Sequence, residues 1–298
     1  MSTNPSLEIY GDEVLDVLKD ELAPIKAFTR DLSPLAEQPG VSVMIGVSQA
    51  QTAGDFNATS NNYGANDGDL EGVSVTFNKR KLSKFGISDE KAMNYPESWW
   101  RTKGKNGGKA VAEACLNDVM SVFTAANFGS GANDRLAVSL AGFGKDTVAG
   151  IRAAAIKKKI RPAAATLLLH PDYYSALLGT LNANEYGSAS AIQDGVLRNL
   201  VGFRQIIECW QLKTPGLVLL PDAVLFLNRW LKPIRPEAYE AAFAQTDDET
   251  GLTIGIREYE DPATGVLSVS AELAYGYAVG NDKAVLRLID GPEPAAAE

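Results

Sequence analysis

Histidine and cysteine are nearly missing from this chain. Its 298 residues hold one histidine, His170, and two cysteines, Cys115 and Cys209. A structural or catalytic zinc site needs several such ligands at short, regular spacing, and none exists here. A disulfide framework is likewise excluded. Both cysteines sit among apolar neighbours (ACL and ECW) and read as buried thiols suited to a reducing compartment. No apolar run approaches the ~20 residues that cross a bilayer as a helix. The N-terminus is polar and acidic, without the features of a signal peptide. Positive charge is also in deficit: 28 Lys and Arg against 37 Asp and Glu give a net charge of -9 and a pI near 4.9. That balance argues against a protein whose main task is gripping nucleic acid, because phosphate binding needs a basic face.

The catalytic motifs that can be sought are absent or broken. Asp67, Asp69, Glu71 and Gly72 resemble the start of a calcium loop, but Asn78 stands where the bidentate acid is required. GFGKDT at 142–147 contains a Gly-Lys pair, yet Ser139 takes the place of the first P-loop glycine and Asp146 that of the Ser or Thr. No GxSxG is present. His170, in LHPDYY, marks a strand-to-helix junction and reads as structural. Glu258 and Glu260 share one face of a strand and read as surface acids. The adjacent Trp99 and Trp100 read as packing anchors in place of a base- or sugar-stacking platform. No cofactor and no metal are expected.

What the chain does have is organisation. NGGKAVAEACLNDVMSVFTAANF, residues 106–128, places Val111, Ala114, Cys115, Val119, Val122, Phe123 and Ala126 at steps of three and four. This is one apolar stripe of a long helix, with Asp118 at its edge. Gly107 and Gly108 loosen its start, and Gly129 supplies a stop. Before it, residues 1–8 read as disordered and Gly11–Leu22 as a short amphipathic helix. An extended, Pro-punctuated arm follows. Strands at Val41–Val47 and Val73–Phe77 flank the polar stretch 48–70 and make a long projecting hairpin. Ser88 caps a helix through SDEKAMNY. Residues 78–109 are basic, with Lys79, Arg80, Lys81 and Lys84 at their start. They are either a solvated face or a patch complementary to acidic surface on another copy.

From Leu136 the texture alternates. A helix at Asp146–Lys159, a strand at Ala165–Leu169, a helix opened by Pro171, strands at Val201–Glu208 and Leu217–Leu220, and a short helix from Pro221-Asp222 make an α/β module. After Pro236 the candidate strands are Glu240–Thr246, Leu252–Glu260, Val266–Tyr277 and Ala284–Ile289.

This order of parts resembles the major capsid protein of tailed bacteriophages, the HK97-fold family. FGISDEKAMNYPESWW followed by GKAVAEACLNDVMSVFTAANFG is similar to the approach to that family's spine helix. LHPDYYSALLGTLNANEYG with the later NLVGFRQIIE is similar to its apical strand–helix, loop and strand. The resemblance implies an α+β, HK97-like capsid fold: an N-terminal arm (1–45), an extended β-hairpin loop (46–80), a peripheral domain with the spine helix (81–135 and 237–290), an α/β apical domain (136–236) and a tail (291–298). It implies a structural, non-enzymatic shell protein that forms hexamers and pentamers of an icosahedral phage head around double-stranded DNA. The implied partners are further copies of the chain, a separate scaffolding protein, a portal, a decoration protein and non-specifically touched DNA, with no membrane. The place is the virion, after assembly in the host bacterial cytoplasm. Phe56, Tyr63, Lys79, Arg80, Lys81 and Lys84 are the expected subunit-contact residues. No lysine occurs from Ala50 to Asp69, so isopeptide cross-linking through that loop is not expected. Gly107 and Gly108 would let the spine bend as a shell expands. The rivals are an encapsulin-type nanocompartment shell of the same fold and an acidic α/β hydrolase.

Overall fold

The computed structural model describes residues 5–29, 42–48, 70–88, 95–181, 196–198, 200–248, 250–261 and 265–291. The fold is α+β. Its larger apolar core gathers two helices and a sheet. Helix α1 (Pro5–Glu21) buries Leu7, Tyr10, Val14 and Leu18 against α2 (Glu97–Met120). Both cover one face of a sheet ordered β10 (Ala241–Thr246), β11 (Thr253–Asp261), β12 (Val266–Val279), β3 (Lys79–Ser88), with β9 (Val224–Arg229) also paired to β12. All these pairings are antiparallel.

The close meeting of α1 and α2 depends on glycine. A Cβ on Gly104 would lie 2.8 Å from the carbonyl oxygen of Tyr10, and one on Gly108 2.9 Å from that of Val14. The glycines at 104, 107 and 108 are buried and make a groove that α1 fills. Arg101 then clamps the pair, bonding Glu13 of α1 at 2.6 Å and Glu97 of its own helix at 2.7 Å.

The spine differs from its expected span. It starts at Glu97, directly after Pro96, and ends at Met120. Ser121–Thr124 turn, and Thr124 opens the short helix α3 (Ala125–Phe128) by accepting from the Asn127 N–H. Gly107 and Gly108 therefore lie mid-helix, occupied by α1, and the helix runs through them unbroken. Residues 5–8, expected to be disordered, are helical, and the first part of the expected arm is core. Amphipathic burial, with Leu7 fully enclosed, outweighs the weak local signal there. Ser88 ends strand β3 and caps nothing in the described residues; most of the helix expected after it lies outside them.

A second core belongs to the α/β module. Its sheet is ordered β4 (Arg135–Val138), β13 (Val285–Asp290), β8 (Gly216–Leu219), β5 (Thr166–Leu169), β7 (Gln205–Glu208), β6 (Val196–Arg198). Helices α4 (Lys145–Lys157) and α5 (Pro171–Thr180) pack Val148, Ile151, Tyr174 and Leu177 onto Leu167, Leu169, Val218 and Leu288. Leu168, Leu217 and Leu219 point the other way, into the first core. Burial on both faces explains the unbroken apolar run TLLL. Two expectations change here. Residues 224–229, downstream of the expected Pro221 helix, form a strand of the other sheet, because all of Val224–Leu227 are buried. The last strand, expected with the peripheral sheet, sits between β4 and β8 in this one.

The two expected hairpin strands pair with shifted bounds, and residues 49–69 of the loop between them lie outside the described residues. β1 (Ser42–Ser48) and β2 (Leu70–Thr76) pair antiparallel as a two-stranded sheet of their own. Val43, Val47 and Val75 seat one face of the ribbon on Leu225 and Leu227.

The glycine groove makes a prediction against helix propensity. Alanine favours a helix interior by about 1 kcal/mol over glycine, whereas overpacking against an immovable neighbour costs about 1–3 kcal/mol. The neighbours are backbone atoms, so Gly104→Ala and Gly108→Ala should each lower the urea midpoint. A midpoint at or above the parent's would show that the helices sit farther apart.

Candidate functional site

The expected contact residues that the structure describes lie on β3, the edge of the five-stranded sheet. Alternation along the strand sends Lys79 and Lys81 to the helix side and Arg80, Leu82 and Lys84 to the other. On the helix side, Asp118 of α2 receives both lysines: Lys81 Nζ at 3.0 Å and Lys79 Nζ at 4.0 Å. The Tyr275 hydroxyl donates to the same carboxylate at 2.8 Å. Burial pushes the Asp118 carboxyl up, but Tyr275, Lys81 and Lys79 together outweigh it and hold it below the usual carboxylate range. Tyr275, itself fully buried, is driven well up by burial first.

On the opposite face, Glu272 lies between two guanidinium groups. Arg80 reaches both carboxylate oxygens at 2.6 Å, and Arg257 Nε lies 3.1 Å away. Arg257 also donates to the Tyr239 hydroxyl and to the Leu231 carbonyl. Lys84 sits 4.9 Å from the Tyr259 ring centre. Four cations thus share two carboxylates, Lys84 adds a fifth positive charge, and the edge keeps a positive excess. Arg80 and Lys79 remain about two-fifths exposed.

The structure brings Lys79, Arg80, Lys81 and Lys84 together on one strand, each with a partner inside the chain. Phe56 and Tyr63 lie outside the described residues. Sequence reasoning missed β3 itself and missed Asp118, Arg257, Glu272 and Tyr275 as the groups that hold it. The signal was the period-two sequence KRKLSKFGIS, read as charge instead of strand. Trp99 and Trp100 serve in packing. Trp99 stacks on Tyr95 at 3.9 Å, and Phe85 meets both tryptophans edge-on.

The other singled-out groups have structural employment. His170 Nδ1 accepts from the Asp172 N–H at the start of α5. Gly144 precedes α4, where Thr180 Oγ1 accepts from the Lys145 N–H. Cys115 and Cys209 are buried, and burial pushes the Cys209 thiol up to about 11. Glu258 departs from expectation: it is buried, and that burial, then Glu240, raises its carboxyl. Asp67 and Asp69 lie outside the described residues. Among the described residues no group of three or more His, Cys, Asp or Glu is placed to hold a metal. No helix of the described residues is long and apolar enough to cross a membrane.

The Asp118 cluster has a defined pH signature. Its folded-state carboxyl is held below the unfolded value of about 3.9. The stabilisation is therefore complete above that value and is lost as pH falls through the folded one. Asp118→Asn should lower unfolding free energy by about 1 kcal/mol at pH 7, discounting for partial exposure. The gap between parent and variant should close below pH ~4. A gap constant down to pH ~2 would show that the lysines do not stabilise the carboxylate.

Comparison with known proteins bears on these surfaces as a whole. The family model described as "Phage capsid protein" matches residues 83–288, from within β3 to within β13. No curated protein matches the chain. Among solved structures, one from Mycobacterium phage Che8 is 17% identical with 89% of each chain covered and a TM-score of 0.55. The capsid asymmetric unit of cyanophage Pam1 is 12% identical, covering 91% of this chain and 92% of that one, with a TM-score of 0.57. A virus-like particle from Pyrococcus furiosus is 11% identical, covering 94% and 98%, with a TM-score of 0.55. These likenesses show the HK97-like fold over nearly the whole chain. With the match spanning more than half its length, the chain belongs to the phage capsid protein family and is a structural protein of the viral capsid.

Proposed function

We propose that copies of this chain assemble into hexamers and pentamers that close into an icosahedral phage head around double-stranded DNA. One observation carries the reading beyond the family itself. The β1–β2 hairpin is a separate two-stranded sheet, seated by one face on Leu225 and Leu227, with Met44 72% exposed. A lone two-stranded ribbon is marginal in water. A neighbouring copy that covers it supplies the missing contact.

In this reading the five-stranded sheet with α1 and α2 is the peripheral domain. The six-stranded sheet with α4 and α5 is the apical domain, which draws β13 from the far end of the chain. The positive excess on β3, at Lys79, Arg80, Lys81 and Lys84, faces acidic surface on an adjacent subunit, and Phe56 and Tyr63 are further subunit-contact residues. Many modest contacts per subunit then add up to a stable shell. A scaffolding protein and a portal act as separate partners, and a decoration protein is compatible with the surface. DNA touches the shell without sequence preference, as the net negative charge requires. Assembly takes place in the cytoplasm of a bacterial host. The function is structural in this reading, and no step of it calls for catalysis.

The likeness to the Pyrococcus furiosus particle favours a second reading, a nanocompartment shell that encloses protein. Particle contents separate the two. Expression of the chain should yield large closed shells, visible by negative-stain imaging and sedimenting far ahead of the free subunit. Raising ionic strength should slow their formation, because exposed charge pairs are screened. Monodisperse monomers under all conditions would sink the proposal, and shells packed with a foreign enzyme would favour the nanocompartment.

A further inference from the structure

The outer face of α4 carries a combination that nothing inside the subunit explains. Gly150 lies in the interior of this helix, where glycine weakens helical structure relative to alanine. The glycines at 104 and 108 are required by backbone pressed against them. A Cβ on Gly150 would meet nothing within 4 Å. Ala149 and Ala153 flank it, and both are exposed, so the face is smooth as well as bare. One turn on stands Ile156, half exposed.

Cations frame the smooth patch. Arg152, near Gly202, and Lys157 border the exposed side on its two edges, and among the described residues neither has an ion-pair partner; Asp146, one turn before Gly150, is the one exposed acid of the helix. Lys159 follows the helix with a φ of 64°, a left-handed position where glycine is the usual occupant. Lys158, by contrast, is buried and spent on Asp134 and the Val285 carbonyl. A basic rim around a small apolar floor fits a protein surface that is acidic and approaches closely. Phosphate binding alone would use neither the missing Cβ nor the exposed isoleucine.

The chain carries a matching surface elsewhere. Glu8, Asp12, Asp16 and Asp20 repeat every four residues along the exposed side of α1. Like charges at that spacing repel one another along a helix. Asp12 accepts from Gln245, while Asp16 and Asp20 have no ion-pair partner among the described residues. The acid ridge belongs to the first core and the α4 face to the second, so the two surfaces lie on different modules of one subunit.

We infer that the smooth basic face of α4, bordered by Gly150 and Lys157 on one edge and by Arg152 and Ile156 on the other, receives the acidic ridge of α1 from a second copy of this chain. The contact is heterologous, one surface meeting a different one, and such contacts generate rings when the rotation closes. The small residues permit close approach of the two helices, and the complementary charges set their register. This assignment rests on the shell-forming reading above and names one of its contacts.

The test compares shell formation by the full-length parent and variants, expressed identically and followed by sedimentation and negative-stain imaging. Gly150→Leu should melt at or above the parent temperature, since leucine is the better helix former and the site is open, yet reduce shell yield at least tenfold. Arg152→Glu with Lys157→Glu should also block shells. Adding Asp12→Lys and Asp16→Lys should restore them by reversing the pair. Failure of the parent itself to form shells would strike the shell reading as a whole. A shell-forming parent with Gly150→Leu and the doubly acidic variant assembling equally well would overturn the α4 contact alone. Loss of nucleic acid from otherwise normal shells of the acidic variant would overturn it in favour of a DNA contact. Blocked assembly without rescue by the reversed ridge would overturn α1 as the occupant.

Discussion

The approach of α1 to α2 is the constraint on which the rest of the larger core depends. Two helices with ordinary side chains keep their axes about 8–10 Å apart. Here the carbonyls of Tyr10 and Val14 press into a glycine-lined groove instead. That depth lets Tyr10 reach Phe85 on β3, edge to face at 5.3 Å. Phe85 in turn meets Trp99 and Trp100 at the front of the spine. One close contact between backbones thus couples the first helix, the edge strand and the spine into a single aromatic cluster. The groove costs helix propensity, and the burial of Leu7, Tyr10, Val14 and Leu18 offsets that cost.

Electrostatics then fixes the edge strand from both sides. Asp118 ties β3 to α2, and Glu272 ties it to β12 and, through Arg257, to β11. A buried carboxylate is costly unless it is well partnered, and two guanidinium groups meet that condition for Glu272. These bonds locate β3 more than they strengthen it. A long lysine-bearing edge strand also discourages uncontrolled strand pairing.

Much of this architecture was readable from residue order, and the misses have particular causes. The hairpin, the α/β alternation and the three-strand meander announce themselves through period-two runs and turn residues. The Pro171 helix does so through the proline that opens it. The strand at 79–88 was hidden by its cations, because Lys79 and Lys81 take one face and Arg80 and Lys84 the other, so no apolar alternation shows before Phe85 and Ile87. The spine's true start was hidden by three glycines that look like breakers and act as a seat. Residues 224–229 follow the helix-start signal Pro221-Asp222, but each of the first four side chains faces an apolar neighbour, on one core or the other. The partners Asp118 and Glu272 lie 37 and 192 residues from the cations they hold, at Lys81 and Arg80. Local pattern carries no information across such separations.

The placement of β13 sets a timetable for the folding chain. It fills an interior slot of the six-stranded sheet, between β4 and β8, although it is the last of the described strands to be synthesised. Until residues 285–290 leave the ribosome, β4 has no neighbour in that sheet and β8 has one bare edge. Long-range strand closure of this kind is slow compared with local pairing. A subunit therefore completes its second core only once residues 285–290 have been made, and a chain cut short before residue 285 would carry an open sheet in place of a finished module. A finished module is thereby coupled to synthesis of its last described strand, a form of proofreading written into strand order.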